Sequence, residues 1–594
     1  MKAILLTLNV IVIGGLIALA RVWPPAAFAF LLVGPLAILS IWSVSQGGVS
    51  VRAIFVSTAC AAVSGLLAAT YLFTPMAAYG FVLVGPIVLL GAVDMLQTKR
   101  AIRRNFPVVG HFRYIFEEIR PEIQQYFIES NVDGRPFNRE ERALVYQRSK
   151  GAIDSLPFGT QRNVYDAGFE WINHSMMPAK GVSAHPRVTI GEGRCAKPYS
   201  ASILNISAMS YGSLSANAIA SLNQGAAIGD FAHNTGEGGI SPHHQHGGDR
   251  IWQVGTGYFG CRDAEGNFDP DSFAERASLE AVKMIEIKIS QGAKPGHGGI
   301  LPAAKISDEV AEIRGVSKGA DVISPPAHSA FSTPVELLDF VTRLRELSGG
   351  KPVGFKICVG KRREFLAICK AMLETGQVPD FITVDGAEGG TGAAPFEFSN
   401  SLGCPLVEGL TFVHNALTGI GLRDQIKIIA SGKIASGFAL VRLISLGADL
   451  GYAARSMMMS MGCIQARKCN SNDCPVGIAT QDPSLTKGLV VSEKSKRVAR
   501  YHAETVHAAV DLMGAAGIAQ PGELRPWHIM RRVSQLETRH YGEIIDFLAP
   551  GALLQDELPA SFARAWEAAT ADSFVHLEDQ ADAAPSMATV ANPA

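Results

Sequence analysis

The sequence predicts an α/β protein built on a (β/α)8 TIM barrel, with an N-terminal transmembrane helical region ahead of it. Three observations carry that expectation. Uncharged apolar runs crowd the first 95 residues, short apolar segments alternate with helical patterns from residue 200 to about 480, and glycine-rich stretches follow one segment after another. A chain of 594 residues is too long for one hydrophobic core and should divide into more than one folding unit. Its formal net charge of −1 gives no sign of a nucleic-acid partner.

Residues 3–20, 26–43 and 53–74 carry no charge, and a fourth run, 77–93, stops just before Asp94. Each is about the roughly 20 residues that a helix needs to cross the hydrocarbon layer. A cleaved signal peptide is the alternative for the first run, since "ALA" precedes Arg21. Three further runs favour a four-helix anchor in contact with membrane lipid. "FLLVGPLAIL" at 30–39 returns as "FVLVGPIVLL" at 81–90, which suggests two similar hairpins kinked at Pro35 and Pro86. Lys2, Arg52, Lys99, Arg100, Arg103 and Arg104 all fall on one side of four spans, with Arg21 alone on the other. Positive charge prefers the cytoplasmic side, so the expectation is a multi-pass protein of the cell (inner) membrane with everything after residue 95 in the cytoplasm. In that reducing compartment clustered cysteines serve metals or redox chemistry more often than disulfides.

The expected domains are the four helices over 1–95, a juxtamembrane and helical region over 96–194, the barrel over 195–555, and a largely disordered Ala-rich, acidic tail over 556–594. Candidate strands are 203–209, 284–290, 320–325, 352–359, 380–386, 426–432 and 448–454. Stretches such as "TPVELLDFVTRLRELS" lie between them with apolar residues at helical spacing. Strand–helix alternation of this length suits a parallel barrel. A doubly wound open sheet is the alternative, weakened by the lack of G-x-G-x-x-G after the first strand.

The strand ends hold the unusual residues. "SAMSYG" follows the first strand, "HNTGEGG" the second, and "QGAKPGHGG" and "DGAEGGTGAAP" later ones. In a barrel these loops build the catalytic face, and glycine there lets backbone N–H groups come close to a ligand. Gly389, Gly390 and Thr391, with Gly432 and Ala454–Arg455 after the last two strands, form a candidate phosphate cradle. Of nine cysteines, Cys463, Cys469 and Cys474 stand at C-x5-C-x4-C, with Pro475 following. Three thiolates on one loop suit an iron–sulfur cluster or zinc, and buried inert cysteines remain the third option. Zinc needs a fourth ligand, which the nearby sequence does not offer.

"ISAMSYGSLSANA", "NTGEGG", "IKISQGAKPGHGG", "ISPPAHS", "VDGAEGGTGAAP" and "GCIQARKCNSNDCPVGIATQDP", in this order over about 195–485, resemble the synthase domain of glutamate synthases. That domain is a barrel holding FMN and one iron–sulfur cluster. The resemblance implies a [3Fe–4S] cluster on Cys463, Cys469 and Cys474. It puts backbone atoms of Ala208, Met209 and Ser210 against a flavin, with Gln291 and Lys356 reaching its ring or ribityl chain. Gly389, Gly390, Thr391, Gly432, Ala454 and Arg455 would hold the FMN phosphate. Glu237, Lys288, Gln291 and Lys294 are the catalytic candidates over the flavin face. Lysines there suit the carboxylates of 2-oxoglutarate, and Glu237 suits acid–base work on nitrogen. The plainer alternative for Lys288 is an ion pair with Glu286 or Glu237 inside the barrel.

The implied activity is reductive amination of a 2-oxo acid, 2-oxoglutarate to glutamate. Reduced ferredoxin or a partner flavoprotein would supply the electrons. The N-terminus "MKAILLTLNV" does not resemble the glutaminase domain of glutamate synthases, so ammonia is expected from outside this chain. His297 stands where many relatives have an acidic residue. The apolar N-terminus also keeps open a membrane-anchored amino-acid oxidase or a non-catalytic electron-transfer flavoprotein.

Overall fold

The structure, a computed structural model, describes residues 10–15, 17–18, 21–22 and 50–575. It divides into two compact units, 1–129 and 130–594. The expected 96–194 region is therefore shared between them and does not stand alone.

In the first unit, α1 (Val51–Leu72) starts at Ser50, whose side chain accepts from the Ala53 N–H, and α2 (Gly80–Leu96) contains Pro86. With the 3-10 turn that precedes α2, they give two 22-residue helices, Val51–Leu72 and Pro75–Leu96, long and apolar enough to cross a membrane. They pack closely where Gly91 leaves room for the Phe55 ring. The expected spans 3–20 and 26–43 lie largely outside the described residues. α3 (Gly110–Ile123) follows, separated from α2 by a short basic stretch.

The second unit is a closed barrel of eight parallel strands. In order they are β1 (Leu204–Ile206), β2 (His233–Asn234), β3 (Arg250–Val254), β4 (Val282–Lys288), β5 (Val353–Ile357), β6 (Phe381–Asp385), β7 (Lys427–Ser431) and β8 (Leu450–Ala453). β8 returns to β1 with Tyr452 opposite Asn205, which closes the ring. Six of the expected strands take their places. The segment 320–325 does not: Val322–Ile323 pairs antiparallel with Ile300–Leu301 outside the barrel, with Ile323 65% exposed. The vacancy is filled by β3, "RIWQV", whose mixed polar and apolar text hid it.

Alternation along each strand sorts the side chains. Trp252, Ile285, Ile287, Ile382, Val384, Ile428 and Ala430 join the large core under the surrounding helices. Ile251, Met284, Phe381, Ile429 and Leu450 instead form a separate apolar cluster inside the barrel. Ile190, Tyr199 and Ala201, from an antiparallel ribbon, close that cluster from below. Two residues further along the same inward faces come Gln253, Glu286, Thr383 and Ser431, all buried. Glu286 accepts from Asn234 (2.8 Å), Gln253 (2.6 Å) and Thr383 (2.6 Å), so its buried carboxylate is fully bonded.

α4 (Ala216–Gly229) packs against α6 (Val491–Ala515), where Gly225 faces Val498 at a distance that leaves no room for a side chain. His502 of α6 bonds the Leu204 carbonyl (2.9 Å) and stacks on Phe231. The tail expected to be disordered from 556 contains a helix, Ala560–Glu567, because Phe562 is buried and stacks on Phe412. Residues beyond 575 lie outside the described residues.

Asp380 anchors the N-terminal end of the barrel. Fully buried, it pairs with Arg345 (2.9 Å) and Arg194 (3.1 Å) and accepts from the Val353 N–H (2.8 Å). Asp380→Ala leaves both guanidinium groups without their carboxylate and should cost about 3 kcal/mol, seen as a lower urea midpoint of the purified protein. An unchanged midpoint would show that the pairs contribute nothing to holding β5 and β6.

Candidate functional site

A cavity of about 640 Å³ opens at the C-terminal ends of the strands. A smaller one of about 60 Å³ adjoins it, sharing Ala208, Gln291, Lys356, Gly390 and Arg455 in its walls. Gly389, Gly432, Lys433 and Ala454 complete the smaller space. Arg455 begins the short helix α5 (Arg455–Met461), donates to the Glu388 carbonyl (2.6 Å) and lies over the Phe137 ring. A Cβ on Gly390 would press on that guanidinium at 3.0 Å. Burial holds the pKa values of Arg455 and Lys433 below their ordinary values, so this end of the site favours an anion.

Charges of both signs meet on the floor of the large cavity. Lys288 Nζ stands 2.8 Å from Glu237 Oε2. Burial alone would raise the Glu237 pKa, but Lys288, then Lys294 and Arg314, outweigh it and hold the carboxyl below its usual range. Glu237 fits here because Gly299 has no side chain: a Cβ there would lie 2.6 Å from Glu237 Oε1. Gly236, at φ +67°, turns the chain so closely under Ser210 that any Cβ would meet its backbone nitrogen at 2.6 Å. Lys356 pairs with Asp385 (3.3 Å), whose other bond comes from the Gly292 N–H (2.8 Å). Burial opposes the charge on Lys356, yet Asp385 and Glu286 raise its pKa above the ordinary lysine value.

Two buried polar atoms on these walls have no partner among the described residues: Gln291 Nε2 and the Tyr452 hydroxyl. A buried unpaired amide or hydroxyl is costly, so its persistence beside a cavity points to a polar ligand.

Cys463, Cys469 and Cys474 line the far side of the same cavity. Their loop holds Gln465, Arg467 and Asn472 at positive φ, a conformation that non-glycine residues keep only when their surroundings enforce it. The enforcement is visible: Gln465 bonds both the N–H and the carbonyl of Phe137 at 3.1 Å, and Tyr146 donates to the Cys463 carbonyl at 2.7 Å. Lys305, 2% exposed, donates to the Cys469 carbonyl (2.6 Å). Burial lowers its pKa, against the opposing pull of Cys469 and Cys474. Burial pushes the Cys463 thiol up to about 11. Among the described residues no three His, Cys, Asp or Glu side chains are grouped to hold a single metal ion.

The family model described as a conserved region in glutamate synthase matches residues 182–519. The glutamate synthase large subunit-like protein YerD of Bacillus subtilis is 37% identical over 492 residues, covering 75% of this chain and 93% of that protein. The chain belongs to the glutamate synthase family. It is thereby a member of a family of oxidoreductases. An archaeal-type glutamate synthase (NADPH) of Thermotoga neapolitana is 35% identical over 321 residues, and an archaeal glutamate synthase (NADPH) of Methanocaldococcus jannaschii 36% over 325. Each of those matches covers 54% of this chain and 60% of the relative, so the chain spans about three-fifths of their length.

Within this glutamate synthase-family barrel, Ala208, Met209, Ser210, Glu237, Lys288, Gln291, Lys356, Gly390, Thr391, Ala454, Arg455 and the three cysteines all line the large cavity. Gly389 and Gly432 line the smaller one. Lys294 does not line either; it is 2% exposed and sits behind Glu237 as an electrostatic neighbour. His297 points aside, its Nδ1 3.0 Å from the Gly298 carbonyl oxygen and its ring edge-on to Phe398. Arg314, Lys305 and Lys433 were not foreseen, because single basic residues on distant helices and turns carry no local pattern.

Burial, aided by Lys288 and opposed by Glu237, lowers the Lys294 pKa from 10.5 to about 8. Between pH 8 and 10.5 the unfolded chain therefore holds a proton that the folded chain has released. Folding is penalised below pH 8, and stability from this group rises with pH through the window. The difference corresponds to roughly 3 kcal/mol at most. Lys294→Met should flatten the denaturation midpoint against pH over that range. A curve with the parent's slope would refute the assignment.

Proposed function

We propose that this chain catalyses reductive amination of a 2-oxo acid, 2-oxoglutarate to glutamate, with FMN and a [3Fe–4S] cluster as its resident groups. One observation carries the reading: a single cavity is bordered by an anion-favouring end, a largely buried acid–lysine pair and three cysteines. The smaller space suits the FMN phosphate, held by Gly389, Gly390, Thr391, Gly432, Ala454 and Arg455 with Lys433. The backbone at Ala208, Met209 and Ser210 would face the flavin ring, and the unpartnered Gln291 amide would find its acceptor there. Cys463, Cys469 and Cys474 border the same cavity, and three soft thiolates with no fourth Cys or His close by in sequence suit an iron–sulfur cluster better than tetrahedral zinc. When bound, FMN supplies hydride chemistry and the cluster supplies one-electron relay.

The chain's own residues then bind and move protons. Reduction of the imine of the oxo acid requires a proton as well as a hydride. Glu237, kept ionised by Lys288, would take a proton from ammonium as the nitrogen adds to the oxo acid and return it to that nitrogen when hydride arrives. Lys288 meets the Glu237 carboxylate now and would offer its remaining donors to a substrate carboxylate. Lys294 and Arg314 hold the balance of charge from behind. Ammonia and electrons come from elsewhere, the electrons from reduced ferredoxin or a partner flavoprotein. The two apolar helices support a membrane location, and Lys99, Arg100, Arg103 and Arg104 just after them support a cytoplasmic side for the residues that follow.

Anaerobic mixing of photoreduced protein with 2-oxoglutarate and ammonium should reoxidise the flavin and yield glutamate. Persistent reduction with every oxo acid tried would overturn the synthase reading. Glu237→Gln should lower kcat by about 10²–10⁴-fold while leaving the flavin spectrum in place.

Cys469→Ser should remove iron and acid-labile sulfide together and retain FMN. Stoichiometric zinc in anaerobically prepared parent protein, or FAD in its heat supernatant, would contradict the cofactor assignment.

A further inference from the structure

The stretch after α2 is built unlike a solvent-facing connector. Between Asp94 and Glu117 the chain carries Lys99, Arg100, Arg103, Arg104 and Arg113 and no acidic residue. α3 then sets Phe112, Ile115, Phe116 and Ile119 on one helical face. All four are exposed, from 40% for Ile119 to 59% for Phe116. Neighbouring exposed large apolar side chains of this kind mark an interaction surface.

The basic stretch and the helix form one local structure at the end of α2. Arg100 and Arg103 lie over the Tyr114 ring, at 4.7 and 4.8 Å from its centre. Asp94, buried near the end of α2, accepts from the Val108 N–H at 2.9 Å, and His111 Nε2 stands 2.8 Å from Asp94 Oδ1. These bonds fix the start of α3 beside the point where the apolar helix ends. A bilayer-spanning helix that stops at Leu96 would leave Lys99 to Arg104 at headgroup depth. It would leave the apolar face of α3 within reach of the acyl boundary.

We propose that α3 lies in the membrane–water interface, with Phe112, Ile115, Phe116 and Ile119 immersed and the basic stretch on anionic lipid headgroups. The inference rests on the reading that Val51–Leu72 and Pro75–Leu96 cross the membrane. A lipid surface suits the face better than a protein groove does. The positive charge borders the span end, as anionic headgroups require, and the apolar stripe is continuous with a segment that the bilayer already holds.

The test uses the full-length protein in vesicles of phosphatidylethanolamine and phosphatidylglycerol. Photoreactive p-benzoylphenylalanine replaces, one at a time, Phe116, Ile119, Glu117 on the opposite side of α3, or Leu89 within α2. Illumination should give lipid adducts from Phe116, Ile119 and Leu89, with a several-fold excess over Glu117. Exchanging phosphatidylglycerol for phosphatidylcholine should lower the Phe116 and Ile119 yields and spare Leu89. Lipid adducts from Leu89 but not from Phe116 or Ile119 would overturn the inference alone. Cross-links from Phe116 to a second copy or to another protein in place of lipid would do the same. No adducts from Leu89 would remove the spanning reading and the inference with it.

Discussion

A strand turns every second side chain to the same side, and closing eight parallel strands into a ring makes one of those sides an enclosed interior. Met284, Glu286 and Lys288 are therefore carried inward together by β4, as Phe381, Thr383 and Asp385 are by β6. The three levels differ in character. Met284 and Phe381 sit in dry apolar packing, Glu286 and Thr383 bond each other above it, and Lys288 and Asp385 reach the cavity. A slip of one residue in either strand would turn the charges into the helical layer and the isoleucines into the site. The register of β4 against β5, with Lys288 opposite Lys356, thus sets the chemistry of the cavity before any loop is considered.

Two lysines side by side at a barrel mouth repel, and the structure answers each with its own carboxylate. Lys288 has Glu237 from the loop after β2, and Lys356 has Asp385 from β6. With those pairs formed, Arg314, Lys305, Lys433 and Arg455 remain as buried or half-buried cations whose pKa values burial depresses. Holding such groups charged away from water is unfavourable without an anion nearby. Arg314 has Glu237 as a neighbouring anion, while Lys433 and Arg455 stand where the proposed phosphate would lie and Lys305 stands at the cysteine loop.

The barrel and most of its site could be read from the sequence, and the exceptions share a cause. Strands with long β-branched runs, such as "IKIIAS", announce themselves, and the loops after them hold glycines at fixed offsets. β2 has two residues, too few to display a period, and was located only through the loop that follows it. β3 places Gln253 inward to serve Glu286, which breaks the apolar pattern that would have exposed it. "ADVISP" looked more strand-like than β3 and yet forms a peripheral ribbon, because periodicity reports half-burial and not which sheet supplies it. Lys305 and Arg314 bond residues 164 and 104 positions away, at Cys469 and at Ser210, and no local spacing encodes such pairs. Phe562 illustrates the same limit at the tail, where a single buried ring orders a helix within otherwise weak sequence.

The segment just before the first helix of the barrel unit ties the two ends of the cavity together. Phe137 lies under Arg455 with one face of its ring, and its backbone N–H and carbonyl are both bonded by Gln465 of the cysteine loop. Arg142 donates to the same carbonyl at 2.8 Å, and nine residues after Phe137 Tyr146 reaches the Cys463 carbonyl. An anion drawn to Arg455 therefore bears on the residue that supports the strained Gln465 conformation. The proposed cluster ligation at Cys463 would bear on it from the other side. Ligands that bind only the folded state stabilise it by mass action, and here the two groups would stabilise one shared element. On the proposed cofactor assignment, loss of either group would weaken the support of Phe137 from that side, and the order of the cysteine loop and that of the phosphate end would be coupled through a single aromatic residue.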